Sequence, residues 1–135
     1  MRIIPHIGLF PLDHAAFHHG IALFNRGEFY EAHEVLEDVW RAAPTEEKLF
    51  LQGLIQVAVA LVHHSRGNLA GAQSLLARGE RNLEAYPPSY AGISLPPLRH
   101  ALALWRNALD SGAAPPTARV LVVLSLNPDL PVAPQ

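Results

Sequence analysis

The stretch between Pro44 and Gly67 constrains the fold most, because it is long enough for a helix of about five turns and is apolar on nearly every side. After its first turn, and apart from His64 near its end, its polar side chains are Gln52, Gln56 and His63. At about 100° per residue, these three fall in one narrow stripe along the helix. A helix that is apolar nearly all round is normally the buried centre of its domain. The sequence therefore predicts an all-α fold built around this central helix.

Composition bounds the classes of protein to which this chain can belong. Half of its 135 residues are hydrophobic, 16% are charged and the net charge is −2, which is the profile of one globular domain, here residues 1–135. Lysine and arginine are scattered, so the chain lacks the basic surface of a nucleic-acid binder. It has no cysteine, which excludes disulfides, thiolate catalysis and thiolate zinc sites.

Two apolar stretches resemble neither a signal peptide nor a membrane-spanning helix. The first residues, MRIIPHIGLFPLD, are interrupted by Pro5 and Pro11, unlike a signal peptide. Residues 49–62 are too short, and too interrupted by glutamine, to span a bilayer. We therefore expect a soluble cytoplasmic protein with no membrane partner.

Start and stop signals divide the region 13–110 into five helices. The predicted ranges are about 13–25, 28–41, 45–66, 68–86 and 94–109, with caps expected at Asp13, Thr45, Asn68 and Ser94. Residues 1–12 are expected to form an extended arm, and residues 111–135 an extended proline-rich tail. Within that tail, residues 120–126 have the composition of a strand. Because no second strand is expected, we predict an extended or single-turn segment packed on the helices.

A faint internal repeat relates the two halves of the helical region. Arg26-Gly27 matches Arg66-Gly67, and the same offset places Ala32 on Ala72. Each copy has the pattern helix, glycine-containing turn, helix. We therefore predict two helical hairpins, with the fifth helix closing a compact bundle. Gly71 and Gly79, inside the fourth helix, would let a neighbouring helix approach closely.

The second helix, GEFYEAHEVLEDVW, holds the densest polar cluster. His33 falls in the middle of its apolar face, between Phe29 and Trp40, and Glu37 lies one turn further on. If this helix packs antiparallel to the central helix, the two polar stripes face each other. The candidate ligand-binding residues are then His33, Glu34, Glu37, Trp40, Gln52, Gln56 and His63.

These residues admit several interpretations. They could form a buried polar network that fixes helix register, in which each group satisfies another. They could instead line the pocket of a non-catalytic binding module for a small molecule, which is the function we predict, with Gln52 structural and Gln56 and His63 in the pocket. One alternative is a metal-assisted or general acid–base hydrolase using His33 or His63 with Glu37. Another is a structural oligomerisation domain, with a second copy as the partner.

The sequence names no cofactor, and we assign no metal. His14 and His18, four residues apart on the first predicted helix, are the remaining weak candidates for a chelate. The Glu-x-x-His pair that is typical of di-iron helical bundles does not occur.

Three stretches resemble one known family. LFNRGEFYEAHEVLEDVW, KLFLQGLIQVAVALVHHSRGNLAGAQSLL and YPPSYAGISLPPLRHALALW are similar to the bacterial and archaeal family catalogued as domain of unknown function 309, over about residues 20–110. The resemblance implies a small multihelical fold and no established activity. The matching motif positions are Phe24, Asn25, Gly27, Glu31, Ala32, His33, Glu34, Glu37, Trp40, Gln52, Gln56, His63, Gly67, Asn68 and Ala72.

Overall fold

The structure is a computed structural model that describes residues 14–117 and 119–124. Within that part of the chain it contains five helices, α1 (His14–Asn25), α2 (Phe29–Ala42), α3 (Thr45–Ser65), α4 (Leu69–Glu84) and α5 (Leu95–Ser111). Three two-residue strands are added, β1 (Ser89–Tyr90), β2 (Ile93–Ser94) and β3 (Val123–Leu124). The prediction of a compact, five-helix all-α bundle is confirmed. The expected N-terminal arm, the cap at Asp13 and the chain after residue 124 lie outside the described residues.

In each of the two predicted helical hairpins, a turn of the same geometry joins the first helix to the second. At the end of α1, the Glu28 amide donates to the Leu23 carbonyl (3.0 Å), and Gly27 has a φ of 82°. At the end of α3, the Asn68 amide donates to the His63 carbonyl (2.9 Å), and Gly67 has a φ of 81°. A glycine in the left-handed conformation, followed by an amide that bonds to the carbonyl five residues earlier, commonly ends a helix before a sharp turn. The faint repeat in the sequence is therefore visible in the structure.

The central helix α3 packs against both α2 and α4. Its side chains Phe50, Leu51, Leu54, Val57 and Ala58 are inaccessible to solvent, which explains why it is apolar nearly all round. Although α3 is long and apolar, no helix in the described ranges meets the length and hydropathy needed to cross a membrane.

Glycines bring α3 and α4 into close contact. A Cβ atom added to Gly79 would lie 2.8 Å from Val57 Cγ2 and 3.0 Å from the Gly53 carbonyl oxygen. A Cβ atom added to Gly53 would lie 2.8 Å from Leu83 Cγ. All three distances are shorter than ordinary van der Waals contacts. The expected close approach at Gly79 is therefore observed, with Gly53 as its counterpart on α3. The same expectation for Gly71 is wrong, because a Cβ atom there would meet only the side chain of Asn68, the cap of α4 itself.

A small antiparallel sheet replaces the loop and the unpaired segment that the sequence predicted. β1 and β2 form a hairpin around Ala91 and Gly92, and β3 pairs with β2 in the register Ile93↔Leu124. The expectation that residues 120–126 lack a strand to pair with is thus wrong, because residues 93–94 supply one. Strands of two residues are too short to show a period-two pattern in the sequence.

Candidate functional site

The predicted site residues on α2 make contacts within or next to their own helix. His33 Nδ1 donates to the Tyr30 carbonyl oxygen at 2.6 Å, and a Glu37 carboxylate oxygen lies 3.8 Å from an Arg41 guanidinium nitrogen. The Lys48 ammonium lies 4.3 Å from the centroid of the Trp40 ring and donates to the Trp40 carbonyl. Glu34, also on α2, is exposed.

Two of the predicted site residues on α3, Gln56 and His63, bond to α4 or to its cap. Gln56 Oε1 accepts a hydrogen bond from Asn82 Nδ2 at 2.8 Å, and both side chains are half-buried. Asn68 Nδ2 donates to His63 Nδ1 at 3.2 Å, and Gln52 is half-buried. Within the described residues, no hydrogen bond or ion pair joins the α2 candidates to the α3 candidates, and a ligand-binding role for either set stays a prediction.

The histidine pair on α1 was the remaining candidate for a metal chelate. The His14 and His18 rings are 6.2 Å apart and both residues are exposed. Across residues 14–117 and 119–124, no group of three or more histidine, aspartate or glutamate side chains could hold a metal ion. The pair stays a prediction.

A cleft of about 540 Å³ opens at the other end of the bundle, where the two glycine turns lie. One side is formed by the end of α1, the α1–α2 turn, the start of α2 and the end of α3. The other side is formed by α5 and by Pro116, Thr117, Arg119 and Val120. None of the seven predicted site residues is among the lining residues. The apolar lining includes Phe24, Phe29, Leu61, Val62 and Trp105.

Four charged side chains line the same cleft: Glu28, Glu31, Arg66 and Arg119. Glu28 is paired with Arg26, outside the lining, at 3.4 Å. The Arg66 guanidinium lies 5.9 Å from the Tyr30 ring centroid, and Arg119 Nη2 donates to the Asn25 carbonyl at 2.6 Å.

The balance of charge at the cleft is positive once Arg26, the partner of Glu28, is counted. Three guanidinium groups, of Arg26, Arg66 and Arg119, then stand against two carboxylates, of Glu28 and Glu31. His64, which also lines the cleft, packs edge-on against Trp105 with its ring centroid 4.9 Å away. The cleft therefore combines an aromatic surface with two guanidinium groups that come from separate elements.

A second polar cluster lies at the start of α3, away from the cleft. Glu47 is only 8% exposed, and its Oε2 accepts a hydrogen bond from the Tyr90 hydroxyl at 3.1 Å. The Tyr86 hydroxyl donates to the Glu46 carbonyl at 2.9 Å and accepts from the Phe50 amide at 3.0 Å. These bonds attach the β1–β2 hairpin, and the chain that leads to it, to the first turn of α3.

Burial shifts the acidity of this cluster. Loss of solvent contact raises the pKa of Glu47, an effect that the Tyr90 hydrogen bond opposes in part. Burial, followed by the adjacent Glu47 charge, raises the pKa of Tyr90 well above its usual range. Burial is also the largest cause of the raised pKa of Tyr86. Tyr90 is therefore a neutral donor to Glu47 at any physiological pH.

Sequence reasoning predicted neither location. Glutamates in the first turn of a helix are commonly explained by the helix dipole, so nothing local marked Glu47 as buried. The sequence did contain a signal for the cleft. Four of the residues that match the family motif, Phe24, Asn25, Gly27 and Glu31, line the cleft. Their partner Trp105 is distant in the sequence, and residue spacing cannot place it.

The comparisons with known proteins agree with the resemblance. The Bacillus subtilis (strain 168) uncharacterized protein YpuF is 46% identical over 59 residues, which are 43% of this chain and 34% of that protein. An uncharacterized protein of Aquifex aeolicus (strain VF5) is 35% identical over 77 residues, which are 56% of this chain and 23% of that protein. The chain thus spans about a third of one relative and a quarter of the other. The resemblance predicted from the motifs is confirmed over α1 to the middle of α4, where residues 17–75 match the family described as Domain of unknown function (DUF309).

Proposed function

We propose that this protein is a non-catalytic binding module, and that its ligand is a small organic anion with an apolar body that occupies the cleft. The observation that carries the proposal is the excess of guanidinium groups over unpaired carboxylates above an aromatic surface. The cleft volume of about 540 Å³ lies within the range of roughly 300–1,000 Å³ that is usual for small-molecule sites.

The arginines supply the affinity for an anion. A guanidinium offers several N–H groups in a planar fork that matches the two oxygens of a carboxylate. Arg119 uses one N–H on the Asn25 carbonyl, and Arg66 is held over the Tyr30 ring. Both guanidinium groups are thus positioned by the protein before a ligand arrives, which lowers the ordering cost of binding.

The aromatic side chains supply the affinity for the apolar body. Phe24 is fully buried and packs edge-on against Phe29, with ring centroids 5.1 Å apart, so this side of the cleft is rigid. Trp105 contributes a large, partly exposed surface from α5. By contrast, three of the polar groups predicted between α2 and α3, His33, Gln56 and His63, already bond to other protein groups, which favours the cleft as the binding site.

The proposal can be tested through the fluorescence of Trp105. The chain has two tryptophans, and replacing the other one (Trp40→Phe) leaves Trp105 as the single reporter. Trp40 Nε1 is buried without a hydrogen-bond partner in the described part of the chain, so phenylalanine leaves no group unpaired there. Two probes with the same apolar body and opposite charge, 4-phenylbutyrate and 4-phenylbutylammonium, then report the sign of the preference.

We expect 4-phenylbutyrate to change the Trp105 emission saturably, and the ammonium probe to bind much more weakly. Arg66→Gln should raise the Kd for 4-phenylbutyrate about tenfold, because it removes one charge-assisted contact. Arg78→Gln, at an exposed position of α4 outside the cleft, is the matched control and should leave the Kd unchanged. Equal binding of both probes, or an Arg66→Gln variant that binds like the control, would contradict the proposal.

A further inference from the structure

The described part of the chain after α5 ends in a segment, residues 119–124, that is held through its backbone by one side chain, Asn25. The Val122 amide donates to Asn25 Oδ1 at 2.7 Å, and Asn25 Nδ2 donates to the Val122 carbonyl at 2.9 Å. A carboxamide that satisfies both the N–H and the C=O of one residue takes the place of a neighbouring strand. β2 pairs with β3 at residues 123 and 124, and the Asn25 side chain, at the end of α1, bonds to the backbone of the preceding residue, Val122, in the same way.

The side chains of this C-terminal segment fit the same arrangement. Val120 and Val122 are 5% and 1% exposed, whereas Arg119, Val123 and Leu124 point outward. Alternate residues of an extended chain lie on opposite faces, so the two valines pack on the helices together. The segment is thus fixed by two buried side chains, the Asn25 carboxamide and two residues of β3.

The C-terminal segment is also part of the cleft. Arg119 and Val120 line it, together with Pro116 and Thr117 just before the segment. Asn25 itself lies in the cleft lining, with its carbonyl oxygen bonded to Arg119. Asn25 therefore lines the cleft, bonds to the segment that forms part of one side of it, and accepts a hydrogen bond from one of its two lining arginines.

We infer that Asn25 is a positioning residue that holds the C-terminal segment as one side of the cleft, so that docking of the segment and binding of an anion in the cleft are coupled. The part that concerns the anion rests on the function proposed above. When the segment is docked, Arg119 lines the same cavity as Arg66 and Trp105. When it is released, the cavity loses one side and one guanidinium. By linkage, an anion that prefers the closed form must also hold the segment in place.

The test uses the full chain with Asn25→Ala, in the Trp40→Phe background, and two readouts that require no ligand. We expect hydrogen exchange of the Val122 amide to become at least about tenfold faster, while amides in the middle of α3 keep their rates. We also expect acrylamide to quench Trp105 more strongly. Asn107→Ala, an exposed amide on α5, is the matched control and should change neither readout.

A second variant keeps the test decisive if Asn25→Ala lowers the stability of the whole fold. Val122→Ala weakens the segment from its own side, leaves α1 intact, and should produce the same local changes at the segment and at Trp105. The inference is overturned if both variants leave Val122 exchange and Trp105 quenching at their original values, or if exchange rises equally throughout α3.

The coupling to ligand is measured separately. In the protein with Asn25 intact, 4-phenylbutyrate should slow exchange of the Val122 amide, and Asn25→Ala should raise its Kd at least about tenfold. Binding that is equally tight in both proteins would overturn the coupling. If 4-phenylbutyrate binds neither protein, the proposed function fails, while the exchange and quenching results still decide whether Asn25 holds the segment.

Discussion

Glu47 shows how a single residue acquires an unusual environment at the start of an otherwise ordinary helix. One of its carboxylate oxygens accepts from the Tyr90 hydroxyl, and the other is buried with no hydrogen-bond partner in the described ranges. A buried charge with an unsatisfied oxygen destabilises the folded state, because water solvates the same charge in the unfolded chain. The raised pKa of Glu47 expresses this cost.

The pH dependence of stability follows from that shift. Since the pKa of Glu47 is raised above 4.5 by folding, the folded protein holds its proton more tightly than the unfolded chain does. The contribution of Glu47 to stability is therefore fully present below about pH 4.5 and is lost as the pH rises through the folded pKa. We expect Glu47→Gln to raise the free energy of unfolding at pH 7 by about 1–2 kcal/mol, because it removes the buried charge.

Urea unfolding between pH 4 and pH 8 measures this effect. Glu47→Gln should flatten the fall in stability over that range, whereas Glu46→Gln, the exposed neighbouring glutamate, should preserve it. A Glu47→Gln protein with the original slope would show that the carboxyl group is not the source of the pH dependence.

At the residue scale, the sequence predicted which helix positions are polar better than it predicted their hydrogen-bond partners. The stripe of Gln52, Gln56 and His63 was identified correctly as polar groups on a buried helix, but Gln56 bonds to Asn82 of α4. Helical periodicity gives the direction of a side chain relative to its own axis and says nothing about which helix packs there. For the same reason, Tyr90, distant in the sequence, could not be matched to Glu47.

At the scale of elements, the contact between α3 and α4 depends on two small residues. A Cβ atom at Gly79 would collide with the backbone oxygen of Gly53 and with Val57, neither of which can move without separating the helices. We expect Gly79→Ala to lower the free energy of unfolding by about 1–2 kcal/mol, because overpacking outweighs the roughly 1 kcal/mol that alanine gains in helix propensity.

A second glycine of α4 provides the comparison for thermal unfolding. A Cβ atom at Gly71 would meet the side chain of Asn68, which can turn away at the expense of its cap bond to the Gly71 amide. Loss of a cap and gain of helix propensity are similar in size, so Gly71→Ala should be nearly neutral. A Gly79→Ala protein as stable as Gly71→Ala would mean that the two helices can separate freely.

Helix boundaries were the most predictable elements, because their signals are local. Asn68 caps α4 through its side chain, Ser94 precedes α5, and Gly27 and Gly67 end α1 and α3 as expected. The sheet was not predictable, because its two-residue strands come from residues 89–94 and 123–124. Their pairing depends on the path of α5, which brings distant segments together.

At the scale of the whole molecule, the hydrophobic core extends beyond the region that matches the family. The match ends at residue 75, in the middle of α4, while Leu76 and Leu83, which follow it, are 1% and 0% exposed. A fragment 14–75 would leave the Gly53 surface of α3 uncovered, since Leu83 packs there.

We therefore expect a fragment 14–84 to show more helix per residue by circular dichroism, and a more cooperative thermal transition, than a fragment 14–75. Both fragments lack α5, so the comparison isolates the second half of α4. Identical transitions would show that residues 76–84 add nothing to folding.

The division of the cleft has a consequence for specificity among relatives. Phe24, Phe29, Tyr30, Leu61 and Arg66 lie inside the matched region 17–75, whereas Trp105, Pro116 and Arg119 lie beyond it. A protein that shares only the matched region has positions equivalent to 12 of the 17 lining residues, and the other five lie beyond that region. Under the function proposed above, changes in the chain that follows α4 would alter what is bound without disturbing the two helical hairpins.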